Sequence, residues 1–300
     1  ARLIASQEID ILIDLQGQTS GARPNILGYR PAPIQITYLG LPATTGLPSI
    51  DYVIADRFLI PEQYARFYSE TPLYMPDVYQ VSDRLRVQGS APTRASCGLP
   101  EQGFVFCSFN NSYKYTPVVF DVWLGLLSEV PGSVLWLLAD NPAAEANLRA
   151  YAQSKGVSQE RLVFATRVSP ENYLARYLIA DLFLDTFPFN AGTTANDCLW
   201  MGCPLLTLSG RSFASRMAGA LLTAAGLSEL IATSLDQYKA IALALATDPA
   251  RCLSIRDRLR VVRQEGALFD TARFTRALEE RLLDLVSHLP ALAQENSSPA

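Results

Sequence analysis

Short apolar runs alternate with amphipathic helical patterns from about residue 100 onward, and this alternation restricts the fold more than any other feature of the chain. Short apolar runs are typical of buried strands, whereas apolar residues spaced three and four apart indicate helices. Strands that alternate with helices in this way form parallel sheets covered on both faces. The sequence therefore predicts a Rossmann-like lobe. Its predicted strands are 104–109, 134–139, 161–166, 182–185 and 204–208, and its predicted helices are 117–129, 143–155, 170–180, 194–202, 212–225 and 234–247.

A second set of apolar runs precedes this lobe. These runs predict strands at 9–15, 34–40, 51–56 and 72–76, joined by brief connections. Because the chain begins at Ala1 inside a predicted helix, we expect this first lobe to be truncated. Amphipathic helices are predicted at 250–263 and 271–287, and Gln294–Ala300 is predicted to be a frayed tail. The predicted domains are 1–85 (first lobe), 86–100 (a Ser-, Arg-, Gly- and Pro-rich linker), 101–270 (second lobe) and 271–300 (terminal helix and tail).

Charge, hydropathy and cysteine usage narrow the classes of function. A net charge of −4 with no basic stripe argues against a nucleic-acid partner. No apolar run approaches the roughly 18 residues of a membrane span, so no membrane association is expected. The five cysteines lack CxxC spacing, which favours reduced thiols in a cytoplasmic protein. Only three residues are Lys, so a lysine at the end of a strand is informative.

Two stretches of the second lobe follow predicted strands directly: FNNSYKYTP at 109–117 and FNAGTTANDCLWMGCP at 189–204. Ligands of open parallel sheets bind beyond the carboxyl ends of the strands. The second stretch also starts a helix, whose unpaired N–H groups and partial positive charge favour an anion such as phosphate. Thr193 and Thr194 would add hydroxyl donors, and Lys114 would add a full charge. Together they predict a diphosphate cradle, and no DxD or HxE motif indicates a metal beside it.

Structural interpretations of the same residues remain open. Thr194 and Asp197 have the spacing of a capping box, which starts a helix without any ligand. Lys114 could be a solvated surface residue. The remaining alternatives are turn residues at Asn110 and Asn111 and core aromatics at Tyr113 and Tyr173.

The chain resembles the C-terminal part of the protein O-GlcNAc transferase family, including its bacterial members and the plant SPINDLY-type O-fucosyltransferases. This resemblance implies a GT-B fold, with two Rossmann-like lobes and a nucleotide sugar held in the cleft, mostly by the C-terminal lobe. It covers nearly the whole chain, through RPAPIQITYLGLPATTG (30–46), DYVIAD (51–56), FNNSYK (109–114), VPGSVLWLL (130–138), ADLFLDTFPFNAGTTANDCLWMGCP (180–204), GRSFASRMAGALL (210–222) and LFDTARFT (268–275).

The resemblance also implies roles for the strand-end residues. Lys114 resembles the catalytic lysine that neutralises the diphosphate of the donor. Asn111 falls where an amide contacts the nucleotide. Thr193 and Thr194 match the threonines that bind the diphosphate, and Asp197 matches the acid that binds the ribose hydroxyls.

Further positions follow the same pattern. Tyr173 falls where O-GlcNAc enzymes carry a His that stacks on uracil, and Arg176 lies one turn on, near the base. The loop bordering the sugar and the acceptor is matched by Leu39, Gly40 and Pro42.

Two departures from the family concern the identity of the donor and the set of functional residues. Gly192 occupies the place of a His that reaches the diphosphate and sugar in animal O-GlcNAc enzymes. SPINDLY-type enzymes resemble this chain there and use GDP-fucose. The family also places a functional His upstream of everything here, whereas the single His of this chain, His288, is expected to be a surface residue.

The resemblance implies inverting, metal-independent and cofactor-free transfer of a sugar, GlcNAc from UDP by preference, to protein Ser or Thr hydroxyls. It also implies a bacterial protein that recruits acceptors through an upstream tetratricopeptide region. These 300 residues alone are expected to bind nucleotide without transferring sugar. The alternatives are a GDP-fucose-dependent O-fucosyltransferase, a nucleotide-sugar epimerase, and a non-catalytic nucleotide-sugar-binding module.

Overall fold

The computed structural model describes residues 1–288. The chain forms two compact units, Ala1–Gln80 together with residues 271–288, and Val81–Asp270. Each unit is built on a parallel sheet, which the alternation of strands and helices predicts for the second unit. The predicted tail at Gln294–Ala300 lies outside the described residues.

The first unit contains a four-stranded sheet in the order β1-β2-β3-β4, in which each neighbouring pair is parallel. All four predicted strands are found. β2 is buried along its whole length, so it forms the centre of this core. The strands are β1 (Ile11–Asp14), β2 (Ile34–Thr37), β3 (Tyr52–Ala55) and β4 (Thr71–Tyr74), and the short helices are α1 (Arg2–Ala5), α2 (Asn25–Gly28) and α3 (Glu62–Ala65).

The second unit contains a six-stranded parallel sheet and seven of the described α-helices. Five strands match the predictions, and the sixth, only two residues long, is too short to give a sequence signal. The predicted helix at 212–225 starts instead as a 3₁₀ turn. The elements are β5 (Val105–Ser108), α4 (Pro117–Glu129), β6 (Val134–Leu138), α5 (Pro142–Ser154), β7 (Leu162–Ala165), α6 (Pro170–Arg176), β8 (Leu182–Leu184), α7 (Thr193–Trp200), β9 (Leu205–Leu208), α8 (Met217–Ala224), β10 (Ile231–Ala232), α9 (Leu235–Thr247) and α10 (Pro249–Glu265).

The strand order of this second sheet locates its ligand crevice. The order is β7-β6-β5-β8-β9-β10, so the chain builds outward from β5 in one direction and then returns to add β8 on the other side. This is the strand order of a dinucleotide-binding Rossmann sheet. The topological switch point lies between β5 and β8, and ligands bind outside the carboxyl ends of the strands at that point.

The core of the second unit is linked to this edge by hydrogen bonds. α4 begins with the Thr116 cap and Pro117 in its first turn, and it buries Trp123 beneath the sheet. The Trp123 indole donates to the Tyr238 hydroxyl (3.2 Å), which donates to the Asp185 carbonyl (3.0 Å). The backbone that leaves β8 is therefore anchored to the packed interior.

The terminal helix α11 (Thr271–Ser287) belongs to the first unit. Its Phe274 ring stacks on Tyr38 with centroids 6.3 Å apart, and Arg273 binds both carboxylate oxygens of Asp77 at 2.7 and 2.8 Å. The sequence prediction treats 271–300 as a separate segment, because an amphipathic pattern shows that a face is buried but not against what.

The predicted linker at 86–100 is part of the second unit, whose boundary lies at Val81. Leu99 is buried, and Arg94 donates to the Asp181 carboxylate (3.2 Å) and to the Gly103 carbonyl (2.7 Å). A Ser-, Gly- and Pro-rich composition indicates irregular backbone. Irregular backbone can still pack firmly, and here it does.

Candidate active site

Two loops meet at the switch point of the second sheet. One follows β5 and carries Lys114, and the other follows β8 and leads into α7. Since β5 and β8 are paired, with Phe106 opposite Leu182, both loops leave the same edge side by side. The two stretches that the sequence singled out are therefore neighbours in space.

Asp185, the residue that follows β8, organises the second loop. It is fully buried, and its Oδ1 accepts hydrogen bonds from the backbone N–H groups of Thr186 (2.8 Å) and Ala191 (2.7 Å). Its Oδ2 accepts from the Thr207 hydroxyl at 2.7 Å. Burial raises the pKa of Asp185 to about 7, while these donors and the charge of Lys114 oppose the rise. Sequence reasoning missed this role; the available signal was an acidic residue directly after an apolar strand.

Lys114 joins the two loops. Its Nζ donates to the Asn190 carbonyl at 3.0 Å and lies 4.0 Å from the centroid of the Phe189 ring. Asn190 is itself fixed, because its side-chain amide donates to the Thr186 carbonyl at 2.8 Å. Burial lowers the pKa of Lys114, and the nearby Asp185 carboxylate opposes this. Lys114 is thus a half-buried ammonium that contacts the second loop, and not a freely solvated side chain.

The start of α7 differs from an ordinary capped helix end. Gly192 is the N-cap residue, Thr193 and Thr194 open the helix, and among residues 1–288 no side-chain hydrogen bond caps the first turn. The alternative interpretation of Thr194 and Asp197 as a capping box is therefore wrong, because Thr194 already lies inside the helix. The first N–H groups of a helix have no intrahelical partner. This end of α7 can therefore donate to an anion.

Asp197 lies one turn into α7 and pairs with an arginine from the stretch predicted as a linker. The Nη1 atom of Arg86 lies 2.6 Å from Asp197 Oδ1, and both side chains are 14% exposed. Burial raises the pKa of Asp197, while Arg86 lowers it. No local sequence pattern indicates this pair.

α6 places Tyr173 beside α7 and Arg176 beside the sheet. The Tyr173 hydroxyl lies 2.7 Å from that of Tyr177, and burial and the Asp197 charge raise its pKa. Arg176 is 8% exposed, with its guanidinium 5.9 Å from the Trp136 ring centroid. It forms no ion pair with any residue that the structure describes. Asn111, half-buried, precedes the 3₁₀ turn that carries Lys114.

Leu39, Gly40 and Pro42 lie in the loop after β2, within the first unit. Leu39 has a φ of +61°, a left-handed conformation that is uncommon for a residue with a side chain. A Cβ at Gly40 would meet the backbone carbon of Gln16 at 2.4 Å. Only glycine fits there, so this loop has a defined and strained path.

The remaining candidates are less informative. His288 is exposed, as predicted, and contacts Asp284. Cys107, Cys198 and Cys203 are buried free thiols. Among residues 1–288, no group of His, Cys, Asp and Glu is arranged to hold a metal ion. Within the same residues, no helix combines the length and apolarity that crossing a bilayer requires.

The chain is similar to several known proteins. The Arabidopsis thaliana protein named "Probable UDP-N-acetylglucosamine--peptide N-acetylglucosaminyltransferase SEC" is 39% identical over 93% of the chain. The Petunia hybrida protein named "Probable UDP-N-acetylglucosamine--peptide N-acetylglucosaminyltransferase SPINDLY" is 33% identical over 92% of the chain. The chain covers only 29% and 30% of their respective lengths. An O-GlcNAc transferase from Thermobaculum terrenum, solved as a point mutant, superposes with a TM-score of 0.87 at 31% identity, over 95% of this chain and 54% of that one.

The fold and the sequence motifs lead to the same group of proteins. The predicted GT-B class is confirmed by the superposition on the Thermobaculum enzyme and by the two parallel-sheet units. The family model described as "Glycosyl transferase family 41" matches residues 1–91 and 84–278. These residues include the Lys114 loop, the start of α7 and the Leu39–Gly40 loop. The chain therefore belongs to glycosyl transferase family 41.

Proposed function

We propose that this chain carries donor-binding and transfer residues of a protein glycosyltransferase that moves GlcNAc from UDP to Ser or Thr hydroxyls. The observation that carries the proposal is the contact between Lys114 and Asn190, which places an ammonium beside the uncapped start of α7 at the switch point of the sheet. The names of the Arabidopsis and Petunia relatives support this donor and this class of acceptor.

In the proposed reaction the acceptor oxygen attacks the anomeric carbon as the bond from that carbon to the diphosphate breaks. The electron pair leaves with UDP, the proton of the acceptor hydroxyl passes to solvent water, and the anomeric configuration inverts. Negative charge grows on the leaving diphosphate, so donors fixed beforehand stabilise the transition state more than the ground state. Lys114 and the N–H groups of Thr193 and Thr194 are assigned this role, and no metal or cofactor is assigned.

Asp185 supports these groups without contacting the donor in the proposed reaction. It binds the N–H of Ala191, and the next residue is the N-cap of α7. Through its bond to Thr186 it also holds the segment that fixes Asn190, the partner of Lys114. The proposed cradle is therefore preorganised by one buried carboxylate.

Asp197, Tyr173, Arg176 and Asn111 are assigned to the nucleoside. Asp197 would accept from the ribose hydroxyls, and the aromatic face of Tyr173 would lie against the base. Leu39, Gly40 and Pro42 are assigned to the sugar and the acceptor. Upstream tetratricopeptide repeats and a cytoplasmic location complete the proposal, and the free thiols support a reducing compartment.

A GDP-fucose donor is the second candidate, favoured by Gly192 and by the similarity to SPINDLY. Calorimetric titration with UDP, GDP, UDP-GlcNAc and GDP-fucose separates the two. We expect the uridine nucleotides to bind more tightly. Tighter binding of GDP and GDP-fucose would instead identify GDP-fucose as the donor.

Mass spectrometry of the full-length protein mixed with donor and a bacterial lysate tests the reaction class. Glycosylated protein is the expected product. An altered free sugar nucleotide would indicate an epimerase, and unchanged donor with measurable binding would indicate a non-catalytic module.

A further inference from the structure

Arg86 is held against α7 by several directed contacts. Its Nη1 donates to Asp197 Oδ1 at 2.6 Å, and its Nη2 donates to Asn196 Oδ1 at 2.8 Å. The guanidinium carbon lies 4.8 Å from the centroid of the Trp200 ring. One planar group is therefore bound by three residues of the same helix.

The surroundings fix both ends of this arrangement. The Nε atom of Arg86 donates to the Asp83 carbonyl at 2.9 Å. Asn196 is buried, and its amide nitrogen donates to the Ser82 hydroxyl at 2.7 Å. Neither Arg86 nor Asn196 can rotate without breaking another hydrogen bond. The position of Asp197 is thus set from outside its own helix.

Asp197 keeps acceptor capacity after this pairing. An ionised carboxylate has about four lone-pair positions. Arg86 uses one, and Tyr173 interacts with the same carboxylate. About two positions remain, and the Asp197 side chain is still 14% exposed. Two free acceptor positions on one fixed carboxylate match two adjacent hydroxyl donors.

We propose that Arg86 is a positioning residue that holds Asp197 in the orientation that accepts the 2′ and 3′ ribose hydroxyls of the donor nucleotide. This inference rests on the proposed function, because it takes a nucleotide as the ligand. Burial favours the protonated form of Asp197, and a protonated carboxyl offers fewer acceptor positions to a diol. Arg86 counteracts this and fixes the geometry at the same time.

The test compares UDP with 2′,3′-dideoxy-UDP, since only UDP carries the hydroxyls. Calorimetry on the wild-type chain is expected to show binding of UDP about tenfold tighter or more, the ratio typical of hydrogen bonds to a charged group. In Arg86→Gln this ratio is expected to fall close to one, as in Asp197→Asn. Arg86→Lys, which can bond only one of the two partners well, is expected to give an intermediate ratio.

Arg263→Gln is the matched control. Arg263 also lies over Trp200, at 4.2 Å, and it donates to the Gln88 side chain. Its variant is expected to keep the wild-type ratio. Melting temperatures show whether each variant is folded, and Arg86→Lys replaces Arg86→Gln if the latter is not.

Several results would overturn the inference. If the Arg86 variants keep the wild-type ratio of affinities for UDP and 2′,3′-dideoxy-UDP, Arg86 has a structural role alone. If the variants bind both nucleotides more tightly, Arg86 blocks the site. A wild-type chain that binds both nucleotides equally would remove the ribose contact while leaving nucleotide binding intact. A folded wild-type chain that binds neither would remove the proposed function as well.

Discussion

Replacing Lys114 by Met is expected to weaken UDP binding strongly without affecting the binding of uridine. Met keeps an aliphatic side chain against the Phe189 ring but removes the charge that lies at the Asn190 carbonyl. A unit charge about 4 Å from a phosphate contributes about 4 kcal/mol at an effective dielectric constant of about 20. Lys114 is half-buried, so solvent reduces this value, and we expect a loss of about 10²-fold in UDP affinity. Loss of a fixed donor costs about 10²–10³ in kcat.

The assay is calorimetric titration of UDP and of uridine into the wild-type chain and Lys114→Met. Uridine lacks the diphosphate, so its affinity is expected to stay within about twofold. The lost hydrogen bond to Asn190 should lower the free energy of unfolding by only about 1 kcal/mol. Unchanged UDP affinity, or an equal loss for UDP and uridine, would refute the assignment of Lys114 to the diphosphate. A stability loss of several kcal/mol would make Lys114 structural.

Three further outcomes are expected. Burial raises the pKa of Asp185 to about 7, so the protonated carboxyl stabilises the fold fully below pH about 4, and this stabilisation, on the order of 4 kcal/mol in all, is lost as pH rises through 7. Denaturant titrations should show the corresponding fall in the free energy of unfolding with pH. The same fall in Asp185→Asn would contradict the assignment. Gly40→Ala should lower the free energy of unfolding by about 1–3 kcal/mol, since its Cβ would meet the Gln16 backbone; unchanged stability would show that the loop relaxes. Asp197→Asn should weaken UDP binding and also lower the melting temperature, because it leaves Arg86 without its charged partner; equal UDP affinity would assign Asp197 to structure alone.

Much of the second lobe is predictable from local sequence. Its five longer strands are apolar runs between helical patterns, and the edge at which their loops emerge follows from parallel pairing. The two-residue strand β10 carries no such signal. The predicted cradle depended on two strand-end stretches falling together, which the adjacency of β5 and β8 provides.

Features that depend on distant partners could not be predicted. Arg86 and Asp197 are 111 positions apart, and Arg86 lies in a Ser-, Gly- and Pro-rich stretch that gives no helical or strand pattern. The sequence pattern places Asp185 at the end of a strand, but nothing local shows that its carboxylate binds Ala191 across a loop. The docking of Phe274 on Tyr38 is of the same kind. In each case the sequence shows the chemical group and the fold selects its partner.

In the proposed function, the switch point of the second sheet binds the diphosphate of the donor. A crystal structure of the chain with UDP tests it most directly. We predict both phosphates within hydrogen-bonding distance of the start of α7, with Lys114 Nζ and the Thr193 and Thr194 N–H groups as donors. A diphosphate bound elsewhere, with Lys114 still directed only to the Asn190 carbonyl, would contradict the account.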